Sequence, residues 1–190
     1  MDILKELRAF CPWNQQEAAD RDALLALLEG GQAPYGREDP AHWTASAWVA
    51  SPDRRQVLLA YHTLYDSWSW LGGHADGDRD LLAVALREVR EESGLEAVRP
   101  VSRDVYSLEI LTVDGHEKRG RYVSSHLHLN LTYLLEADPA APLRCKPDEN
   151  SQVAWFGLEE AVAASSEPWF QKRIYSKLNE KLAGFPPRED

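Results

Sequence analysis

Cysteine is nearly missing from this 190-residue chain: Cys11 and Cys145 are the only two, far apart and in no metal-ligand spacing. That excludes a disulfide-stapled scaffold and a thiolate zinc module, and the expectation is a reduced, cytoplasmic protein. Long apolar runs are missing too. No stretch approaches the roughly 18 residues of a membrane span. The opening residues, Met1-Asp-Ile-Leu-Lys-Glu-Leu, read as an amphipathic helix without the apolar core of a signal peptide. Positive charge is in short supply, with 21 Lys and Arg against 31 Asp and Glu and a formal net charge of −10. Such a field repels phosphate backbones and argues against nucleic-acid duplexes as partners. A small anion can still bind where cations or local Arg and Lys reverse the sign.

What the chain does have is one core's worth of patterned segments. Residues 1 to about 40 read as a helical lead-in, with stripes at Ile3, Leu4 and Leu7 and at Leu24, Leu25, Leu27 and Leu28, closed by Gly30-Gly31 and a Pro-rich loop. From His42 the texture changes to strands, at residues 44–50 and 56–61. A helix is expected over residues 80–93, stopped by Gly94. Strands resume at residues 105–113 and 124–135 around a charged hairpin tip, and Trp155-Phe156 is a short strand. A short helix follows at 158–164. Residues 168–182 read as an amphipathic helix carrying Phe170, Ile174, Leu178 and Leu182. The two-part reading is a helical extension over 1–40 and an α/β domain over 41–190.

The informative segment is the helix after Gly72-Gly73. At about 100° per residue, Leu81, Val84 and Ala85 share one face with Glu88, Glu91 and Glu92. A solvated, frayed helix end is the plain explanation for three such glutamates. Two features oppose it. Leu82, Leu86 and Val89 bury the flank beside them, and acids near a helix C-terminus oppose the macrodipole. Three carboxylates in one turn repel one another unless a cation sits among them. Hard oxygen donors without Cys or paired His nearby suit Mg²⁺ or Mn²⁺ better than Zn²⁺.

The same segment resembles the Nudix box: Gly, five residues, Glu, seven residues, then Arg-Glu-aliphatic-x-Glu-Glu-x-Gly-aliphatic. Gly73 begins it, and Arg87-Glu88-Val89-Arg90-Glu91-Glu92-Ser93-Gly94-Leu95 fills its second half without a mismatch. Arg79 stands in place of the first Glu. The resemblance covers roughly residues 42–165. It implies a Nudix-type α/β/α sandwich with a mixed β-sheet and a pyrophosphate-cleaving hydrolase acting on a nucleoside diphosphate-linked or related small molecule. It also implies Mg²⁺, with Mn²⁺ as a substitute. Glu91 and Glu92 are then the principal metal ligands, with the Gly72 carbonyl, and Glu88 is a further ligand or the base. Gly73 lets the backbone approach the substrate. Arg87 lies on another face of the helix and is expected to pair with a loop acid, Asp78 or Asp80, while Arg79 turns outward. Downstream, Glu149 matches the loop acid that completes the metal site or acts as base in many members, with Asp148 in reserve; a solvated turn is the alternative.

The histidines are less decisive. His126 and His128 project from one strand face; they can ligate a metal, although a polar sheet face or a substrate-binding surface is the commoner outcome. His74, beside the glycines, is a candidate contact to substrate phosphate, as is His128. His42 and His62 are read as structural. Trp68 and Trp70 suit either base stacking or core packing. The Asn130-Leu-Thr132 sequon falls in a strand expected to be buried and is discounted. A homodimer surface is expected on the N-terminal helices and around Trp169-Phe170. Two rivals stand beside the hydrolase. An isoprenyl diphosphate isomerase of the same fold needs a Cys that neither Cys11 nor Cys145 supplies. A catalytically inactive ligand-binding or regulatory protein usually shows an eroded box, which here departs only at Arg79.

Overall fold

The computed structural model describes residues 2–32, 34–118 and 120–187. The lead-in forms two helices, α1 (Ile3–Ala9) and α2 (Gln15–Glu29), separated by a segment containing Pro12. Asp2 caps the first, and the Asn14 side chain caps the second by accepting from the Glu17 amide at 3.0 Å. Leu7 and Leu24 are fully buried in the main core, so both helices pack on the body that follows.

That body holds β1 (Ala41–Ala50), β2 (Gln56–His62), β3 (Ser67–Ser69), β4 (Leu71–His74) and α3 (Leu81–Ser93). Next come β5 (Arg99–Pro100), β6 (Ser107–Val113), β7 (His116–Lys118), β8 (Arg121–Val123), β9 (His126–Glu136) and β10 (Asn150–Gly157). Helices α4 (Leu158–Ala164) and α5 (Ser176–Leu182) end the described chain. Eight strands make one mixed sheet. Its path runs β10-β2-β1-β9-β5, while β3 pairs with β2, β4 with β1 and β6 with β9. Strands β1 and β9 run parallel, and the remaining pairs are antiparallel. The α/β fold class expected from the sequence is the one observed, and the charged hairpin is the small β7–β8 ribbon.

Strand β1 is central and nearly all buried, which explains its run of small and aromatic residues. Trp43, Ala45, Ala47 and Val49 share a core with Leu81, Val84, Ala85 and Val89 of α3. The alternate residues Trp48 and Ala50 face a second core with Ile174, Tyr175, Leu178 and Leu182. Asn130 and Thr132 are buried, as expected for a sequon that cannot be modified in the folded chain.

Residues 168–182 depart from a plain α-helix. Phe170–Tyr175 is a π-helical turn in which the Ser176 amide donates back to the Gln171 carbonyl. The extra residue in that turn brings both Ile174 and Tyr175 into the core, and Tyr175 stacks on Trp48 at 5.4 Å. A periodicity of 3.6 picks out Ile174 but not its neighbour. Trp68 and Trp70 belong to this same core, against Phe156 and against Phe170 and Tyr175 respectively. Phe170 points inward, whereas Trp169 is exposed under Arg173. A buried ion network ties α2 to α5: Glu17 meets Lys181 at 2.8 Å and Lys177 at 3.3 Å, and Lys177 continues to Glu109 at 2.8 Å. Among the described residues no helix is long and apolar enough to cross a membrane.

Candidate active site

The site is built where β4 meets the C-terminal half of α3. Asp80 starts the helix by accepting from the Ala83 amide at 3.2 Å, and Gly94 ends it in the left-handed conformation, φ 72°. β4 lies antiparallel to β1, with Gly72 opposite Ser46 and Gly73 opposite Ala45. Gly72 is required by the backbone beside it, and Gly73 by the present position of the Glu88 side chain. A Cβ at Gly73 would fall 2.5 Å from the Glu88 carboxyl carbon, and one at Gly72 would fall 2.6 Å from the Ala45 carbonyl oxygen. Strand β4 and the Glu88 and Glu92 side chains of the helix therefore sit in direct contact.

Glu92 is buried, and its carboxylate accepts the Gly72 N–H at 3.0 Å. Burial pushes this carboxyl up to about 8; the Gly72 bond opposes the shift, and the like charges of Glu88 and Glu149 add to it. Glu88 is also raised by burial, against the pull of its hydrogen bond from Arg87. Glu91 is nearer solvent. Its carboxylate receives Lys146 Nζ at 3.0 Å, and the same ammonium meets Glu149 at 2.9 Å. Burial lowers Lys146, but the bonds to Glu149 and Glu91 outweigh it and hold the ammonium above its ordinary value. The structure thus brings Glu88, Glu91, Glu92 and Glu149 together.

This donor set fits a hard divalent cation. It is all oxygen, two of its members are withdrawn from solvent, and its charges repel one another. Glu88, Glu91 and Glu92 are the helix residues that would hold it, with the Gly72 carbonyl and Glu149 beside them.

Arg87 behaves as expected and more. It reaches Asp78 at 3.7 Å, Glu88 at 3.1 Å and Glu91 at 4.0 Å, so it pairs with the loop and braces two of the carboxylates. Asp80 is occupied as the helix cap. Arg79 is exposed, as expected, but lies over the Tyr35 ring, 5.5 Å from its centre.

Three residues of the site escaped the sequence reading. Lys146 looks like a turn residue until the fold sets it between two acids. Asn150 is fully buried and donates to the Glu92 carbonyl at 3.0 Å, while its oxygen accepts from the Lys146 amide at 3.1 Å. Arg37 pairs with Asp76 and acts electrostatically on Glu88 and Glu149. Only the Lys146-Pro-Asp-Glu-Asn turn pattern hinted at any of them.

His42, read from the sequence as structural, has neighbours that the sequence did not show: its ring lies 5.1 Å from that of His74, 5.0 Å from His126 and 5.2 Å from His128. Burial and the facing imidazoles of His74, His42 and His126 pull His128 well below the ordinary histidine value.

A mixed sheet with a glutamate-bearing helix packed against a Gly-Gly strand is the arrangement found, and comparison with known proteins gives its family. The NUDIX domain model matches residues 40–178, and the chain belongs to that family. Over 96 residues it is 30% identical to the mouse (Mus musculus) bis(5′-nucleosyl)-tetraphosphatase [asymmetrical], a match covering 50% of this chain and 58% of that protein. A C. elegans Ap4A hydrolase in a binary complex has a similar fold, with a TM-score of 0.55 at 20% identity over 76% of this chain and 99% of the other. The M. smegmatis Nudix hydrolase RenU gives 0.54 at 19% identity over 78% and 90%.

Proposed function

We propose that this protein is a Mg²⁺-dependent pyrophosphohydrolase, with Mn²⁺ able to replace Mg²⁺. The observation that carries this reading is the cluster formed where α3 meets β4: Glu88 and Glu92 lie against Gly73 and Gly72, and Lys146 holds Glu91 and Glu149 beside them. Bound there, the ion would polarise phosphoryl oxygens and neutralise charge on the departing phosphate. Water attacks phosphorus, the anhydride P–O bond breaks, and the water proton passes to a carboxylate. Glu88 and Glu149 are the two candidates for that base. Burial raises the Glu88 carboxyl above its ordinary value, the direction that favours taking up a proton. The missing side chain at Gly73 lets the Glu88 carboxylate lie against the strand, and contact with substrate phosphate is the role His74 and His128 would take without a metal among them.

The substrate class proposed is a nucleoside diphosphate-linked small molecule, with dinucleoside polyphosphates first, because a relative sharing 30% identity is named as a bis(5′-nucleosyl)-tetraphosphatase. A cytoplasmic setting agrees with two free cysteines. A homodimer through the faces bearing the exposed Trp13 and Trp169 is the assembly we would look for first.

The test is a panel of dinucleoside polyphosphates, nucleotide sugars and nucleoside triphosphates, incubated with and without Mg²⁺. Product masses locate the cleaved bond. Turnover that requires the ion supports the enzyme; tight binding without turnover supports the regulatory alternative.

A further inference from the structure

Four of the six histidines converge at one end of the sheet, and their candidate ligand nitrogens all lie within 4.8 Å of one another. They come from three strands. His42 on β1 stands directly opposite His128 on β9, His126 lies two residues before His128, and His74 on β4 is paired with Thr44. His42 alternates with Trp43, which belongs to the core under α3, so the cluster occupies the opposite sheet face.

Hydrogen bonds fix which nitrogens look inward. His42 Nδ1 lies 2.9 Å from the Asp39 carbonyl, and His126 Nδ1 lies 2.8 Å from the Ser124 carbonyl. A carbonyl only accepts, so Nδ1 carries a proton in both rings, and in the neutral imidazole Nε2 is then the atom with the lone pair. His42 is buried, 3% exposed, and its Nε2 has no hydrogen-bond partner. His126 Nε2 faces His128 Nε2 at 3.2 Å. An outer nitrogen held by a carbonyl and an inner lone pair left for a ligand is the arrangement of metal-binding imidazoles. For metal–nitrogen bonds of about 2.0–2.1 Å, the edge of a tetrahedron is about 3.3 Å.

We propose that His42, His74, His126 and His128 form a zinc site distinct from the carboxylate cluster on α3. Neutral imidazoles suit Zn²⁺, Ni²⁺ and Cu²⁺ rather than Mg²⁺, and the 3.2 Å between the His126 and His128 Nε2 atoms matches one edge of a tetrahedral Zn²⁺ shell. The ion satisfies the buried Nε2 of His42 and cross-links β1, β4 and β9 one residue beyond the Gly72-Gly73 pair. It also places positive charge near the site of a strongly acidic chain. Arg37 acts on His128 as well as on Glu88 and Glu149, so both clusters lie within electrostatic reach of one guanidinium.

The test uses the full chain stripped of metal and does not depend on hydrolysis. Co²⁺ is titrated in and read by its visible ligand-field absorption, then displaced with Zn²⁺. A tetrahedral cobalt spectrum at one ion per chain, bleached by one equivalent of Zn²⁺, is the expected result, together with a higher Tm. His126→Gln and His128→Gln should weaken Zn²⁺ retention at least tenfold, whereas Glu91→Gln should keep it. In case a histidine variant misfolds, ring resonances of the unaltered protein offer a second readout: four of the six should shift with the first equivalent of Zn²⁺. Absence of stoichiometric Zn²⁺ after gel filtration overturns the proposal. So does retention lost in Glu91→Gln but intact in His126→Gln, which would put the ion among the carboxylates.

Discussion

Asn150 donates its side-chain amide to the backbone carbonyl of Glu92, 3.0 Å away, from a fully buried position. The bond joins the last turn of α3, where carbonyls lack helical partners, to the loop that presents Lys146 and Glu149. A side-chain-to-backbone bond thereby ties the helix that carries Glu88, Glu91 and Glu92 to the loop that carries Glu149.

Asn150→Ala should therefore damage both stability and turnover. It leaves the Glu92 carbonyl and the Lys146 amide without their partner in a buried region, a loss of about 1–3 kcal/mol. Urea unfolding would measure the first effect and kcat the second. An unchanged unfolding midpoint would show that the bond contributes nothing to holding the loop.

Glu91 tests the metal assignment with least disturbance to the fold, because its pairs with Lys146 and Arg87 are partly exposed. Turnover should vanish with chelator and return with Mg²⁺ or Mn²⁺. Glu91→Gln should cost roughly 10²–10³ in kcat, the scale of losing one group that stabilises transition-state charge. Near-normal turnover by this variant would remove Glu91 from the metal site.

The legible part of this molecule was whatever a local pattern encodes. Helix α3 announced itself through Leu81, Val84 and Ala85 and its Gly94 stop, and its glutamates through their spacing. Lys146, Asn150 and Arg37 were not legible, because each acquires its role from a contact between segments that no periodicity links. The neighbours of His42 were hidden for the same reason: they arrive from β4 and β9, through strand register rather than sequence spacing. The π-helical turn at Phe170–Tyr175 was hidden because two adjacent inward residues violate the helical period that reveals a helix at all.

Glu92 predicts a particular dependence of metal-free stability on pH. Its ordinary value is 4.5, and burial raises it to about 8 in the folded chain. Between those values the folded state holds a proton that the unfolded state has released. The stabilisation is complete at low pH and is lost as pH rises through the folded value. Urea midpoints of the chelator-treated protein should accordingly fall between about pH 5 and pH 9, apart from other groups' contributions. Glu92→Gln keeps an oxygen for the Gly72 N–H and removes the titration, so its profile should be flatter and its stability at the alkaline end equal or higher. A variant profile as steep as the original would place the titrating group elsewhere.

Arg79 offers the sharpest separation between a structural and a substrate-binding role. The family pattern has Glu here, yet Arg87 is already supplied with carboxylates by Asp78, Glu88 and Glu91. Arg79 is exposed and rests on the Tyr35 ring, a contact worth about 0.5–1 kcal/mol at an exposed position. Arg79→Glu should thus change stability by no more than about 1 kcal/mol. It removes no metal ligand, so kcat should stay within about tenfold of the original. A different result is expected if the guanidinium leaves Tyr35 to hold a substrate phosphate: KM would rise sharply while kcat changed less. Measuring both constants on one substrate separates the outcomes. A fall in kcat well beyond tenfold at unchanged stability would mean that Arg79 helps set the geometry of Arg87 and Glu88, contrary to the arrangement described here.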